Sequence, residues 1–124
     1  MRPFGELEAA VMQQLWERRE PAKVRDLLAE LQSSRSIAYT TVMTVLENLH
    51  RKGAVSRERQ GRAWCYAPAQ SREEHTAARL RDVLADGGDR QAALLHFVST
   101  LEPEEIGSLQ AAVEAARRGQ AATP

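Results

Sequence analysis

The chain is predicted to be mostly α-helical, a winged helix-turn-helix domain with a two-stranded wing followed by a C-terminal helical dimerisation region, and three observations lead there. Before residue 53, apolar residues recur at helical spacing in three successive segments. Two short segments of approximate alternation follow, set around a Gly61-Arg62 turn. After Pro68 come three more helical stripes, each opened by a capping or breaking signal.

The first helix runs over residues 5–19, where Leu7, Val11, Met12 and Leu15 recur with Trp16 beside them, and Pro21 ends it. Val24, Leu27, Leu28 and Leu31 mark a shorter second helix, closed by the polar turn at residues 32–36. In YTTVMTVLENLHRKG, from Tyr39 to Gly53, the residues Val42, Val45, Leu46 and Leu49 fall at i, i+3, i+4 and i+7, which is a core-facing stripe. Gly53 stands where a helix stops in a left-handed cap. Ala38 is a poor start signal, and Ser36 is the nearest side chain able to cap this third helix.

AVSRERQ and AWCYAP then read as a hairpin. Val55 points inwards, Arg57 and Arg59 continue its alternation past the core edge, and Trp64 and Tyr66 share one face of the return strand. Ser71 with Glu74 three residues on is a capping box for a fourth helix, which ends at Gly87-Gly88. Asp89 caps a fifth, and Pro103 suits the first position of a sixth. This divides the chain into a winged-helix domain at residues 1–70, a helical region at 71–118 and a frayed tail at 119–124.

Composition bounds the function. A chain of 124 residues with 43% hydrophobic content can hold a modest core. No stretch approaches the roughly 20 apolar residues of a membrane span, and the N-terminus lacks the apolar core of a signal peptide, so a cytoplasmic protein with no membrane insertion is expected. Cys65 is the single cysteine, which excludes an internal disulfide and a cysteine metal cluster and suits a small buried hydrophobe. No metal and no cofactor are expected. His50, His75 and His96 are scattered and no nucleophile stands in an identifiable motif, so an enzyme is not expected either.

Formal net charge is zero, but its distribution is uneven. Residues 1–70 hold 11 Lys and Arg against 8 Asp and Glu, while residues 71–124 hold 6 against 9. Between Arg35 and Ala67 the count is 6 basic to 2 acidic, so positive charge gathers around the third helix and the hairpin.

The outer face of that third helix is chemically mixed. It carries Thr40, Thr41, Met43, Thr44, Glu47 and Arg51, with Asn48 on the flank and Lys52 at the end. Such a face fits the major groove of B-DNA, where base edges offer donors, acceptors and the thymine methyl. Threonine brings a hydroxyl and a methyl, arginine pairs with guanine or phosphate, and asparagine matches adenine. Arg57 and Arg62 on the hairpin frame the face with phosphate-binding charge. Glu47 repels phosphate; it can accept from cytosine or orient Arg51 one turn on, and the sequence leaves its role open.

AYTTVMTVLENLHRKG, preceded by a helix ending in LWERREP and followed by a wing ending in YAP, resembles the penicillinase-repressor family of bacterial regulators, the BlaI, MecI and CopY type. The similarity extends from Gly5 to about Arg117. It implies a homodimer that binds an inverted-repeat operator in double-stranded DNA and silences β-lactam-resistance or related stress genes. It also implies release through a membrane receptor protease, with cleavage in the LLHFVS segment between His96 and Phe97. Staphylococcal members carry Asn in place of His96 and Ser-Pro in place of Ala38-Tyr39, and copper-sensing members add a C-terminal cysteine cluster that this chain lacks.

Dimerisation is expected on physical grounds as well. Leu80, Val83, Leu84, Leu94, Phe97, Val98, Leu101, Ile106, Leu109 and Val113 lie on three short helices with too little chain to cover one another. Two alternatives stay open at this point: a winged helix that binds an acidic protein, and a repressor of the same type that responds to another signal.

Overall fold

The computed structural model describes residues 4–122, with side chains through residue 120. Of the expected frayed tail, residues 123 and 124 lie outside the described residues. In chain order the elements are α1 (Glu6–Glu17), β1 (Ala22–Lys23), α2 (Val24–Gln32), α3 (Tyr39–Arg51), β2 (Val55–Gln60), β3 (Ala63–Pro68), α4 (Arg72–Asp86), α5 (Arg90–Ser99) and α6 (Pro103–Ala122). They form two compact units, one ending at Leu80 and the other starting at Arg81.

The first unit is built on apolar stripes that meet. Val11, Met12 and Leu15 of α1, Leu27 and Leu31 of α2, and Val42, Leu46 and Leu49 of α3 are almost wholly buried in one cluster with Ala54, Val55 and Tyr66. The i, i+3, i+4, i+7 stripe of α3 is therefore the face that the helix gives to the core, which leaves Thr40, Met43, Thr44, Glu47 and Arg51 outside.

The helix ends follow their local chemistry. Gly53 has φ +80, its N–H donates to the His50 carbonyl at 3.0 Å, and the Ala54 N–H reaches back to the Leu49 carbonyl at 2.9 Å. These bonds close the helix through a left-handed glycine, and they satisfy two carbonyls that the helix end would otherwise leave open. At the start of α3 Ala38 is the N-cap and no side chain caps it, so the expected help from Ser36 is not used. Ser71 and Glu74 exchange both bonds of the capping box at 3.0 Å, and Asp89 Oδ1 accepts from the Ala92 N–H at 3.1 Å.

The wing is β2 paired antiparallel with β3, in a register that sets Val55 opposite Pro68, Arg57 opposite Tyr66, and Arg59 opposite Trp64. The connection is the two residues Gly61-Arg62; only the glycine has positive φ, as a tight hairpin with glycine first requires. A third strand that the sequence does not announce lies on the other side of β3: β1 pairs Ala22 with Tyr66 and Lys23 with Cys65. Two residues are too few for alternation to register, and the pairing partner is remote in sequence.

Two boundaries differ from the sequence reading. The first unit extends past residue 70 because His75 of α4 is buried in it, stacked on Phe4 with ring centroids 4.5 Å apart and tilted against Trp16 at 5.5 Å. Burial, with Arg79 adding repulsion, holds the His75 imidazole below its ordinary pKa. At the other end α6 continues as helix from residue 119 to Ala122, where the sequence reading expects a frayed tail; Ala-rich sequence sustains helix without any apolar periodicity.

The second unit is different in kind. None of its described side chains is buried, and Val83, Leu95 and Phe97 are 66%, 68% and 54% exposed. Val98 of α5 and Ile106, Leu109 and Val113 of α6 line one open apolar groove of about 280 Å³.

Candidate nucleic-acid interface

α3 presents its outer face in the helical order its sequence dictates. Tyr39 and Met43, one turn apart, are 48% and 47% exposed and set two large side chains side by side on this face. Thr40, Thr44 and Arg51 are exposed; Thr41 and Asn48 are half-buried at the edges of the face. The Thr44 hydroxyl donates to the Thr40 carbonyl at 3.0 Å. Its proton is thus committed to its own helix, and what it offers outwards is a methyl group and acceptor lone pairs.

The wing stands beside this face. Tyr39, Met43 and Glu47 of α3 form one wall of a cleft of about 350 Å³, Ala63, Trp64 and Tyr66 of β3 form another, and Lys23, Arg25 and Arg62 bring positive charge to its rim. Lys23 of β1 and Arg25 in the first turn of α2 are members of this surface that the sequence reading does not name. Their only signal is the excess of basic residues in the first 70 positions, and it takes the fold to carry them to the wing.

Val55, Arg57 and Arg59 alternate on one face of β2, as expected, and burial falls along them from Val55 outwards. Arg57 does not project freely. Its Nη1 donates to Glu47 Oε2 at 2.8 Å, and its guanidinium lies over the Trp64 ring at 4.3 Å. Hydrogen bonds to the Tyr66 phenol and to Glu47 hold its pKa above the ordinary arginine value. Arg59 also lies over Trp64, at 4.9 Å. The partner of Glu47 is therefore Arg57 on the wing, ten positions on, and not Arg51 one turn along its own helix.

Lys52 has a different placement from the other cations of the group. Its ammonium donates to both carboxylate oxygens of Glu8, at 2.9 and 2.8 Å, and so ties the end of α3 to the start of α1. Burial alone would raise the Glu8 pKa; the Lys52 ammonium and the Gly5 N–H outweigh it and hold the carboxyl below its ordinary value. Arg62, by contrast, sits exposed at the wing tip.

The arrangement is one mixed helical face, one basic hairpin and a cleft between them. No helix of the described residues is long and apolar enough to cross a membrane.

A family model described as penicillinase repressor matches residues 4–115. The transcriptional regulator BlaI of Mycobacterium tuberculosis, in strains CDC 1551 / Oshkosh and ATCC 25618 / H37Rv, is 44% identical over 124 residues, covering 98% of this chain and 90% of the relative. Among solved structures, the DNA-binding domain of the repressor BlaI superposes with a TM-score of 0.52 at 23% identity, covering 60% of this chain and 93% of that one. The monomeric form of Bacillus licheniformis BlaI in complex with the blaP half-operator gives 0.50 at 23% identity, covering 59% and 88%. At that identity the two structures speak for the winged-helix fold alone. The family model and the full-length relatives go further, and the chain belongs to the penicillinase repressor family, whose members are transcriptional regulators and not enzymes.

Proposed function

We propose that this chain is a homodimeric repressor that seats α3 of each protomer in the major groove of an inverted-repeat operator, with the wing on the adjacent backbone. The observation that carries this reading is the outer face of α3: threonine, methionine, asparagine and arginine, exposed beside a hairpin whose tip is Arg62. The half-operator complex of the Bacillus licheniformis relative supports it. In this reading Thr40, Thr44, Asn48 and Arg51 meet base edges, while Arg62, Lys23 and Arg25 meet phosphates. Lys52 contributes by tying the end of α3 to α1 through Glu8.

The C-terminal helices supply the dimer. Leu80, Val83, Leu84, Leu94, Phe97, Val98, Ile106, Leu109 and Val113 lie on α4, α5 and α6, and Leu101 in the turn between the last two; none is buried, and a second copy is their natural cover. Two linked half-site contacts then bind as one unit, so DNA affinity depends on dimer affinity. The regulated genes are those of β-lactam resistance or a related stress. Relief follows from cutting between His96 and Phe97 by a membrane receptor protease: both residues are exposed, and α5 has no buried side chain to resist local opening.

The test is a duplex titration combined with sedimentation. The chain should sediment as a dimer, enrich an inverted repeat from a random duplex library, and lose affinity steeply as salt rises. Arg62→Ala should weaken binding to every sequence about equally and reduce the salt slope by about one, while Thr44→Ala should relax preference at individual base pairs. A chain that stays monomeric and ignores duplex at low ionic strength would instead point to a protein-binding module.

A further inference from the structure

Glu47 is a carboxylate in the middle of a surface that otherwise gathers positive charge. Phosphate gains nothing from it, so its presence on α3 calls for a physical account. Its side chain is 52% exposed, and its Oε2 meets Arg57. Arg57 is the opposite case: its side chain is 19% exposed, and its guanidinium is held by Glu47, by the Trp64 ring and by the Tyr66 phenol. A guanidinium with three fixed partners is poorly placed to follow a phosphate backbone, and its charge is already offset by the carboxylate 2.8 Å away.

We propose that Glu47 is a specificity-determining residue, which withholds Arg57 from indiscriminate backbone binding and leaves one carboxylate oxygen facing the groove, satisfied only where the duplex offers an amino donor such as cytosine N4. This rests on the DNA-binding reading above and adds a residue that works by penalty. On a matched sequence the free oxygen accepts a hydrogen bond; on an unmatched one it is a desolvated anion among phosphates and base acceptors. Discrimination of this kind comes from making the wrong partner worse, and random duplex bears the cost.

The experiment compares variants of the full-length chain. The duplexes are one enriched by the wild-type protein from a random library and one of scrambled sequence, each titrated across a salt series. Glu47→Gln keeps the shape and an amide oxygen for Arg57 but removes the charge. It should bind scrambled duplex several-fold tighter, steepen the salt slope by about one, and lower the enriched-to-scrambled ratio by about tenfold. Glu58→Gln removes an equal charge from an exposed position on the opposite alternation of β2, and it should leave that ratio unchanged. Adding Arg57→Ala to Glu47→Gln should return scrambled binding towards the wild-type value, since the cation left uncompensated by the first change is removed by the second.

The proposal is overturned if Glu47→Gln, folded as judged by an unchanged thermal melt, matches wild type on both duplexes, or if Glu58→Gln lowers the ratio just as much. A wild-type chain that enriches no sequence would overturn the DNA-binding reading itself, a result visible before any variant is made.

Discussion

Leu46 and Phe97 are both large apolar residues on helices, yet Leu46 has no exposed surface and Phe97 is more than half exposed. The same contrast runs through the two units. In the first, stripes from α1, α2 and α3 close on one another and on the base of the wing. In the second, α5 and α6 carry apolar residues at helical spacing and bury none of them completely. A helix acquires its stripe from sequence, but a core needs enough elements to enclose it; three helices and a sheet suffice here, and the tail does not. The first unit is a finished core, and the second leaves its stripes uncovered.

The contrast can be broken at its strongest point. Leu46→Ala should destabilise the first unit by about 3 kcal/mol, measured by urea denaturation, and DNA binding should fail with it. If the second unit is half a core, Phe97→Asp should raise the dimer dissociation constant by roughly 100-fold, read by sedimentation, while the melt of the first unit stays where it was. A tail that packs only on itself would leave the dimer constant unchanged.

His75 sharpens the comparison at the boundary. Its folded pKa lies below its unfolded one, so stability is complete above the ordinary histidine value and is lost as pH falls from there through the folded value, because the unfolded chain takes up the proton first. The urea midpoint should therefore fall between about pH 7.5 and about pH 5.5, a window set around the ordinary histidine value, by less than either effect above. His75→Phe keeps a ring against Phe4 and Trp16 and should flatten that dependence. An unchanged slope in the variant would place the titration elsewhere.

Much of this architecture was legible locally. The stripe of α3, the Gly53 stop, the Ser71-Glu74 box, the Asp89 cap and Pro103 at the start of α6 are all decided within a few residues, and the structure has each where the sequence puts it. The mixed outer face of α3 follows from the same periodicity. What escaped depends on distance along the chain. Lys52 and Glu8 are 44 positions apart, Arg57 and Glu47 meet across two elements, and β1 exists only because β3 runs past it. Each such pairing has no local sign, since any of several nearby opposite charges, Arg51 among them, would have served equally well in sequence.

The two-residue strand β1 has an effect out of proportion to its length. It pairs with β3 at Cys65 and Tyr66, and the Arg57–Glu47 bond joins the neighbouring strand to α3, so the wing is held to the body from both sides while Ala63 and Trp64 pair with β2 alone. Arg62 thus stands at the end of a two-stranded arm whose middle is anchored by the connection between α1 and α2, so a change in that connection would be felt at the wing although it lies about 40 positions earlier in the chain.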